Sequence, residues 1–274
     1  MECRAAMRSI FLITLICLPS LLCCQLAKFP YKLKKSDFFI LGMGVSAKLV
    51  ADSRESATPM SYDEISSLQR TDISSLNRGA TYNWNQGLHK GSDFTRGLLL
   101  FAPSLMVVNS GVQTQFGHSF IYGAMYLEVA MLTFGLTDLS KTMAQRIRPY
   151  LYNPDVSMED KQNQMKYNNG FDSFWSGHTA MAFASAVFLS KTYSDIYGKN
   201  TFSKVIWGSS LALASTTGYL RYKSGNHYPT DILVGALVGS AIGFIVPSMH
   251  KKEKRNDYLS YSVGAGNFMV RYTF

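Results

Sequence analysis

Five apolar runs follow one another between Gly97 and Val246, and they limit what this chain can become. They are Gly97–Val108, Phe120–Leu136, Ala180–Ser190, Val205–Leu220 and Ile232–Val246. Ala and Gly recur in them, and such small residues let helices approach closely in a bilayer or in a tight soluble bundle. A spanning helix needs about 20 apolar residues. Several of these runs are shorter, so membrane helices and buried helices of a soluble bundle both stay open. Either way the expected fold class is all-α, a helical bundle.

Of the 274 residues, 47% are hydrophobic and 16% charged, enough for one domain with a large core. The mean hydropathy of +0.00 is low for a chain wholly embedded in lipid. A net charge of +9 suits an anionic substrate or an anionic membrane surface. No basic stripe with interleaved aromatic residues is present, which argues against nucleic acid as a partner. All four cysteines (Cys3, Cys17, Cys23 and Cys24) fall in the first 24 residues, so the remainder has no disulfide and no thiolate for a metal.

The sequence divides into four parts. Residues 1–24 carry Arg4 and Arg8 and then an apolar stretch, the pattern of a signal peptide or signal anchor. Cys23 and Cys24 are candidates for lipidation, but the residues before them are not the small ones expected. Residues 25–96 form an N-terminal extension. Its Ser36–Ala51 stretch is apolar but short and contains Lys48, the signature of an interfacial or packed helix rather than a span. Asp52–Arg96 reads as a long polar loop with one amphipathic helix at most, where Trp84 and His89 are entrance-lining or ordinary packing residues. Residues 97–249 hold the runs and the motifs below, with Tyr150–Trp175 as a polar connection that roofs them. Residues 250–274 are a basic tail whose alternating YLSYSVGAGNFMVRYTF suits a β-hairpin turning at Gly264–Asn267.

Three stretches at the edges of the runs carry chemistry. In RYKSGNHYPTD, Arg221 to Asp231, Pro229 fits the first turn of a helix, placing His227 at its mouth and Asp231 within that turn. A carboxylate there can hold one ring nitrogen of His227 and leave the other free as a nucleophile or base. In KTMAQRIRP, Lys141 and Arg148 are seven residues apart, on one helical face at about 10 Å. Pro149 biases that helix to stop at Arg148. In SGHTAMAFASA, Ser176 has the character of an N-cap, and the N–H groups beyond it make an anion site. Taken singly, each stretch also reads as an ordinary cap, a solvated loop or positive-inside charges.

Together, Lys-x6-Arg-Pro, Ser-Gly-His and Arg-x5-His-x3-Asp resemble the three-part signature of the type 2 phosphatidic acid phosphatase superfamily. That superfamily also contains bacterial acid phosphatases and vanadium haloperoxidases. The resemblance runs from about Arg96 to Met249. Trp175 stands where the family usually has Pro, and Leu220 where it usually has Ser. The resemblance implies that His227 attacks phosphorus while Asp231 holds its ring, and that His178 protonates the leaving oxygen and then activates water. Lys141, Arg148, Arg221, the Ser176 hydroxyl and the Gly177 N–H would bind the phosphate. No cofactor is implied, and no metal at that site, where three cations already face the charge.

Alternating helices place all three motifs on one side of the bundle. Lys251, Lys252, Lys254 and Arg255 then lie opposite, and the positive-inside rule makes their side cytoplasmic. The expected protein is a membrane-bound lipid phosphate or diphosphate phosphatase with a periplasmic catalytic face. A soluble periplasmic acid phosphatase, a haloperoxidase, a lipid transporter and a silent membrane protein are the competing readings. Lys28, Lys32, Lys34 and Lys35 count against this orientation if Ser36–Ala51 does not span.

Overall fold

The computed structural model describes residues 29–53, 60–113, 116–168, 170–252, 259–264 and 267–272. The expected signal segment, the four cysteines, Lys28, Lys254 and Arg255 lie outside the described residues.

Among the described residues, six long helices make the bundle: α1 (Asp37–Ser53), α4 (Gln86–Gln113), α5 (Phe116–Ala144), α7 (Gly177–Tyr197), α8 (Thr201–Lys223) and α9 (Pro229–His250). Shorter helices α2 (Tyr62–Ser67) and α3 (Ser75–Arg78) precede α4, and α6 (Met158–Asn168) lies between α5 and α7. The all-α expectation holds. The tail forms the expected hairpin, β1 (Leu259–Gly264) paired antiparallel with β2 (Asn267–Tyr272), with Gly264 opposite Asn267.

Local chemistry explains the helix starts. The Ser176 side chain accepts from Thr179 N to cap α7, and Asn200 and Ser203 form a capping box for α8. Pro229 takes the first position of α9, where no N–H is needed. Helix α7 ends on Gly198, whose φ of +83° suits glycine.

Helix α7 is central, touching α4, α5, α8 and α9, and most of its residues are buried. Its contact with α9 is backbone to backbone. A Cβ on Gly235 would lie 2.7 Å from Ser176 O, and one on Gly239 or Gly243 would collide with Ala180 O or Ala184 O. Three glycines four residues apart thus form a flat seam on α9.

The structure extends two elements beyond the apolar runs. Helix α4 begins at Gln86, inside what reads as polar loop, because its first turns face a polar site instead of lipid or core. All of the Ser36–Ala51 stretch but Ser36 lies within α1, which travels along α5 in the same direction. Its start meets the end of α9, where Lys32 N donates to His250 O (3.0 Å) and Lys252 N to Pro30 O (2.8 Å). Its later turns meet the other end of α5 through Lys48–Asp138 (3.2 Å). Seventeen residues rise about 25 Å, close to a bilayer core. Lys32, Lys34 and Lys35 therefore sit at the same end of the bundle as Lys251 and Lys252.

The α1–α5 seam is also glycine-mediated. A Cβ on Gly135 would run into Gly44 O, whereas one on Gly123 of the same helix meets nothing within 4 Å. We expect Gly135→Ala to cost about 1–3 kcal/mol by forcing the helices apart. Gly123→Ala should be neutral or stabilising by up to about 1 kcal/mol through helix propensity. Thermal melting of the two variants checks the opposite signs.

Candidate active site

The three motifs meet at one end of the bundle, but not quite in the expected manner. Helix α5 stops at Ala144, and Gln145 takes a positive φ of 42°. Arg148 is therefore extended (φ −75°, ψ 147°) and leads into the turn Pro149–Tyr152, off the helix that carries Lys141. Its backbone N–H donates to Gly170 O (2.9 Å), so the Tyr150–Trp175 connection fixes its position. The Arg148 side chain is 4% exposed and donates from Nη1 to Asn226 Oδ1 (3.3 Å). Arg221, in the last turn of α8, is 2% exposed and donates from Nη1 to Ser92 Oγ (3.3 Å). Both arginines keep a buried Nε–H without a partner. Unsatisfied buried donors are costly, and two on adjacent guanidinium groups suit an anion between them.

Lys141 completes the cationic set. A Cβ on Gly177 would lie 3.9 Å from Lys141 Nζ and 2.8 Å from Thr137 Cγ2, so only glycine keeps this approach to the start of α7 open. Ser176 is buried and its Oγ is engaged with Thr179 as the cap of α7 (2.8 Å to Thr179 Oγ1). That use competes with the role of phosphate donor that the motif implies for it.

His227 lies in the turn between α8 and α9 and is 1% exposed. Gly225 allows this turn: its φ is +73°, and a Cβ there would strike Asn83 O. His227 Nδ1 lies 2.7 Å from Ser173 O. A carbonyl can only accept, so Nδ1 carries the proton and Nε2 presents its lone pair. Burial, and then Arg148, Arg221 and Lys141, hold the ring unprotonated well below the ordinary imidazole range.

The expected direct clasp of His227 by Asp231 is corrected here. Asp231 Oδ2 is 3.9 Å from His227 Nδ1. It accepts instead from Ser173 Oγ (2.6 Å) and Tyr228 N (3.0 Å), while Oδ1 pairs with Arg146 Nη1 (2.5 Å). The carboxylate is fully buried in the first turn of α9, and those donors saturate it. Asp231 thus fixes Ser173, whose carbonyl fixes His227.

His178 begins α7, and its Nε2 lies 2.6 Å from Asp93 Oδ1 on α4. Asp93 also faces His89 Nε2 at 3.7 Å. His89 Nδ1 lies 3.2 Å from Arg221 Nη1 and 3.1 Å from Asn226 Nδ2, so it accepts and its proton sits on Nε2. Sequence reasoning left His89 between entrance and packing and missed Asp93, Arg146, Ser173 and Asn226. The one available signal was the i,i+4 spacing of His89 and Asp93, which puts both on one face of a helix.

The neutral form of His227 is directly observable. In protein labelled with 15N-histidine, its ring should remain the Nδ1–H tautomer through about pH 6.5, where an ordinary imidazole gains its proton. An imidazolium signal for His227 appearing at that pH would contradict the arrangement. The sign for stability follows. A depressed folded pKa makes this contribution complete above about pH 6.5 and progressively lost as pH falls towards the folded value.

Residues 122–255 match the family model of the PAP2 superfamily. Helix α4, with His89 and Asp93, precedes the matched residues. The chain is 39% identical over 83 residues to "Probable diacylglycerol pyrophosphate phosphatase 1" of Schizosaccharomyces pombe, covering 28% of this chain. The match spans only 30% of that relative's length. Among solved structures, Aquifex aeolicus LpxE aligns at 24% identity with a TM-score of 0.44, covering 63% of this chain and 95% of LpxE. The first transmembrane PAP2 type phosphatidylglycerolphosphate phosphatase from Bacillus subtilis aligns at 19% identity with a TM-score of 0.41, covering 90% and 97% respectively. The family match covers all three motifs described above and assigns residues 122–255, just under half of the chain, to the PAP2 superfamily.

Proposed function

We propose that the protein hydrolyses a phosphomonoester or diphosphate of a membrane lipid through a phosphohistidine intermediate. The observation that carries this reading is His227, buried among Lys141, Arg148 and Arg221 yet neutral, with its lone pair on Nε2. Phosphoryl transfer asks mainly for positioning and for positive charge around the equatorial oxygens. The three cations and the Gly177 N–H supply that charge. His227 Nε2 bonds to phosphorus as the P–O bond to the leaving group breaks. His178 gives that oxygen a proton. Its Nε2 is taken by Asp93, so the proton leaves from Nδ1, and the bound phosphate dianion favours the imidazolium that the helix N-terminus disfavours. Water then gives a proton to His178 and its oxygen to phosphorus, the P–N bond breaks, and His227 is restored neutral. No metal enters these steps.

The match to a relative named for diacylglycerol pyrophosphate supports a lipid diphosphate or phosphate as substrate. Phosphate release from a panel of such lipids in detergent, with phosphatidate and undecaprenyl diphosphate included, identifies which. His227→Ala should abolish turnover and leave no phosphoenzyme after an alkaline quench, in which the P–N bond of a phosphohistidine survives. His178→Ala and Asp93→Asn should cripple release of a lipid alcohol but spare first-step release of p-nitrophenol, which needs less proton donation. His178→Ala should therefore give a burst and accumulate phosphoenzyme. Label persisting in His227→Ala, or equal loss on both substrates in His178→Ala without a burst, would overturn the assignment.

The same reading places the bundle across a membrane with the site on the side away from the cytoplasm, periplasmic in a bacterial cell. Phe116–Ala144 and Pro229–His250 are long and apolar enough to cross. Outward apolar rows support the remaining helices, such as Phe94, Leu98, Phe101 and Leu105 on α4, and Phe38, Phe39 and Met43 on α1. With α1 crossing, Lys32, Lys34, Lys35, Lys251 and Lys252 fall on one side, which the positive-inside rule makes cytoplasmic. In a background without native cysteines, Asn163→Cys should label with an impermeant reagent in intact spheroplasts. Lys35→Cys and Lys252→Cys should label only after lysis. Labelling of all three without lysis would replace the spanning bundle with a soluble one.

A further inference from the structure

At the end of the bundle away from His227, α1, α5 and α9 bring Asp37, Glu128 and His250 together, with one potential ligand atom from each within 4.8 Å of the others. Nineteen residues separate His250 from Asp231 along α9, about 28 Å of helix. Glu128 is 3% exposed and His250 fully buried. His250 Nδ1 lies 2.9 Å from Val246 O, so it carries a proton, and Nε2 points inward at the two carboxylates. That nitrogen is 3.2 Å from Asp37 Oδ1 and 3.5 Å from Glu128 Oε1, without hydrogen-bond geometry to either. Glu128 Oε2 has no partner. Among the described residues neither carboxylate pairs with a lysine or arginine. Lys251 pairs with Asp195 (2.6 Å), and Lys252 Nζ donates to Phe29 O (3.1 Å).

Glu128 is buried and the Asp37 side chain is 14% exposed, and two carboxylates around one ring nitrogen repel one another unless positive charge, a bound ion or the imidazolium itself, lies between them. From this geometry we infer a divalent metal site made by Asp37, Glu128 and His250, clamping α1 to the far end of the bundle. For a tetrahedral ion bound at about 2.0–2.2 Å, ligand atoms stand about 3.3–3.6 Å apart, against nitrogen–oxygen separations of 3.2 and 3.5 Å here. One nitrogen and two carboxylate oxygens suit Zn2+ or Mn2+ better than Ca2+ or Mg2+, with water in the open position. The backbone carbonyl on Nδ1 is the usual orienting partner of a metal-binding imidazole. The site takes no part in the proposed phosphoryl transfer. It would reinforce the backbone hydrogen bonds that already join the start of α1 to the end of α9.

The full chain, purified in detergent through a tag without histidine, is exchanged with Zn2+ or Mn2+ and freed of excess ion. Elemental analysis should find about one ion per chain. Melting should shift by about 5 °C or more between EDTA and added metal. Asp37→Asn and Glu128→Gln should each lose the ion and the EDTA response. Wild-type protein without stoichiometric metal, melting identically with Zn2+, Mn2+ or EDTA, would reduce the cluster to an imidazolium shared by two carboxylates. Metal retained in both variants would place the ion elsewhere. The wild-type measurements decide the matter even if a variant fails to fold.

Discussion

Helix α7 lies against α9 with backbone touching backbone, and the active end inherits its geometry from that contact. The seam of Gly235, Gly239 and Gly243 brings Ser176 and Ala180 against α9 at a separation no side chain would allow. Ser176 N then donates to Asp231 O (3.1 Å), locking the start of one helix to the start of the other. His178 belongs to the first and His227 to the turn before the second. Their relative position is thus set by van der Waals contact between main chains, which is stiffer than packing through flexible side chains.

Around that rigid pair the protein concentrates positive charge without matching it. Arg148, Arg221 and Lys141 converge where carboxylates are few, and those present have other duties. Asp231 is occupied by Ser173, Tyr228 and Arg146, and Asp93 by the two imidazoles. Burial first, and then the unmatched field, keep His227 neutral, and the same field leaves two arginine donors that an anion would satisfy. The unfilled arginine donors and the neutral state of His227 are therefore two consequences of one arrangement.

The opposite end has the reverse character, with carboxylates and an imidazole where α1 joins the bundle. Helix α1 bears on the sidedness argument: because it runs beside α5 from Glu128 to Asp138, Lys32, Lys34 and Lys35 before it share an end with Lys251 and Lys252 after α9. The objection from charge counting is met only on the proposed reading in which α1 crosses a membrane.

Much of this was legible in the residues. Apolar runs with small residues announced a helical bundle, and motif spacing marked His178, His227, Asp231 and the three cations. Pro229 and Ser176 marked helix starts, because caps and proline act on their own few neighbours. What the sequence could not reveal lay in contacts between distant segments. Helix α4 begins in polar sequence because its first turns face the site, so hydropathy hid His89 and Asp93. Arg148 leaves its helix because Gly170 O claims its N–H. Asp231 meets Ser173 and Arg146 instead of the His227 ring, since those donors arrive from another connection. Local chemistry, carried by a residue and its near neighbours, was determined by the sequence itself. Which acid meets which base was decided only when tertiary packing brought the helix ends together.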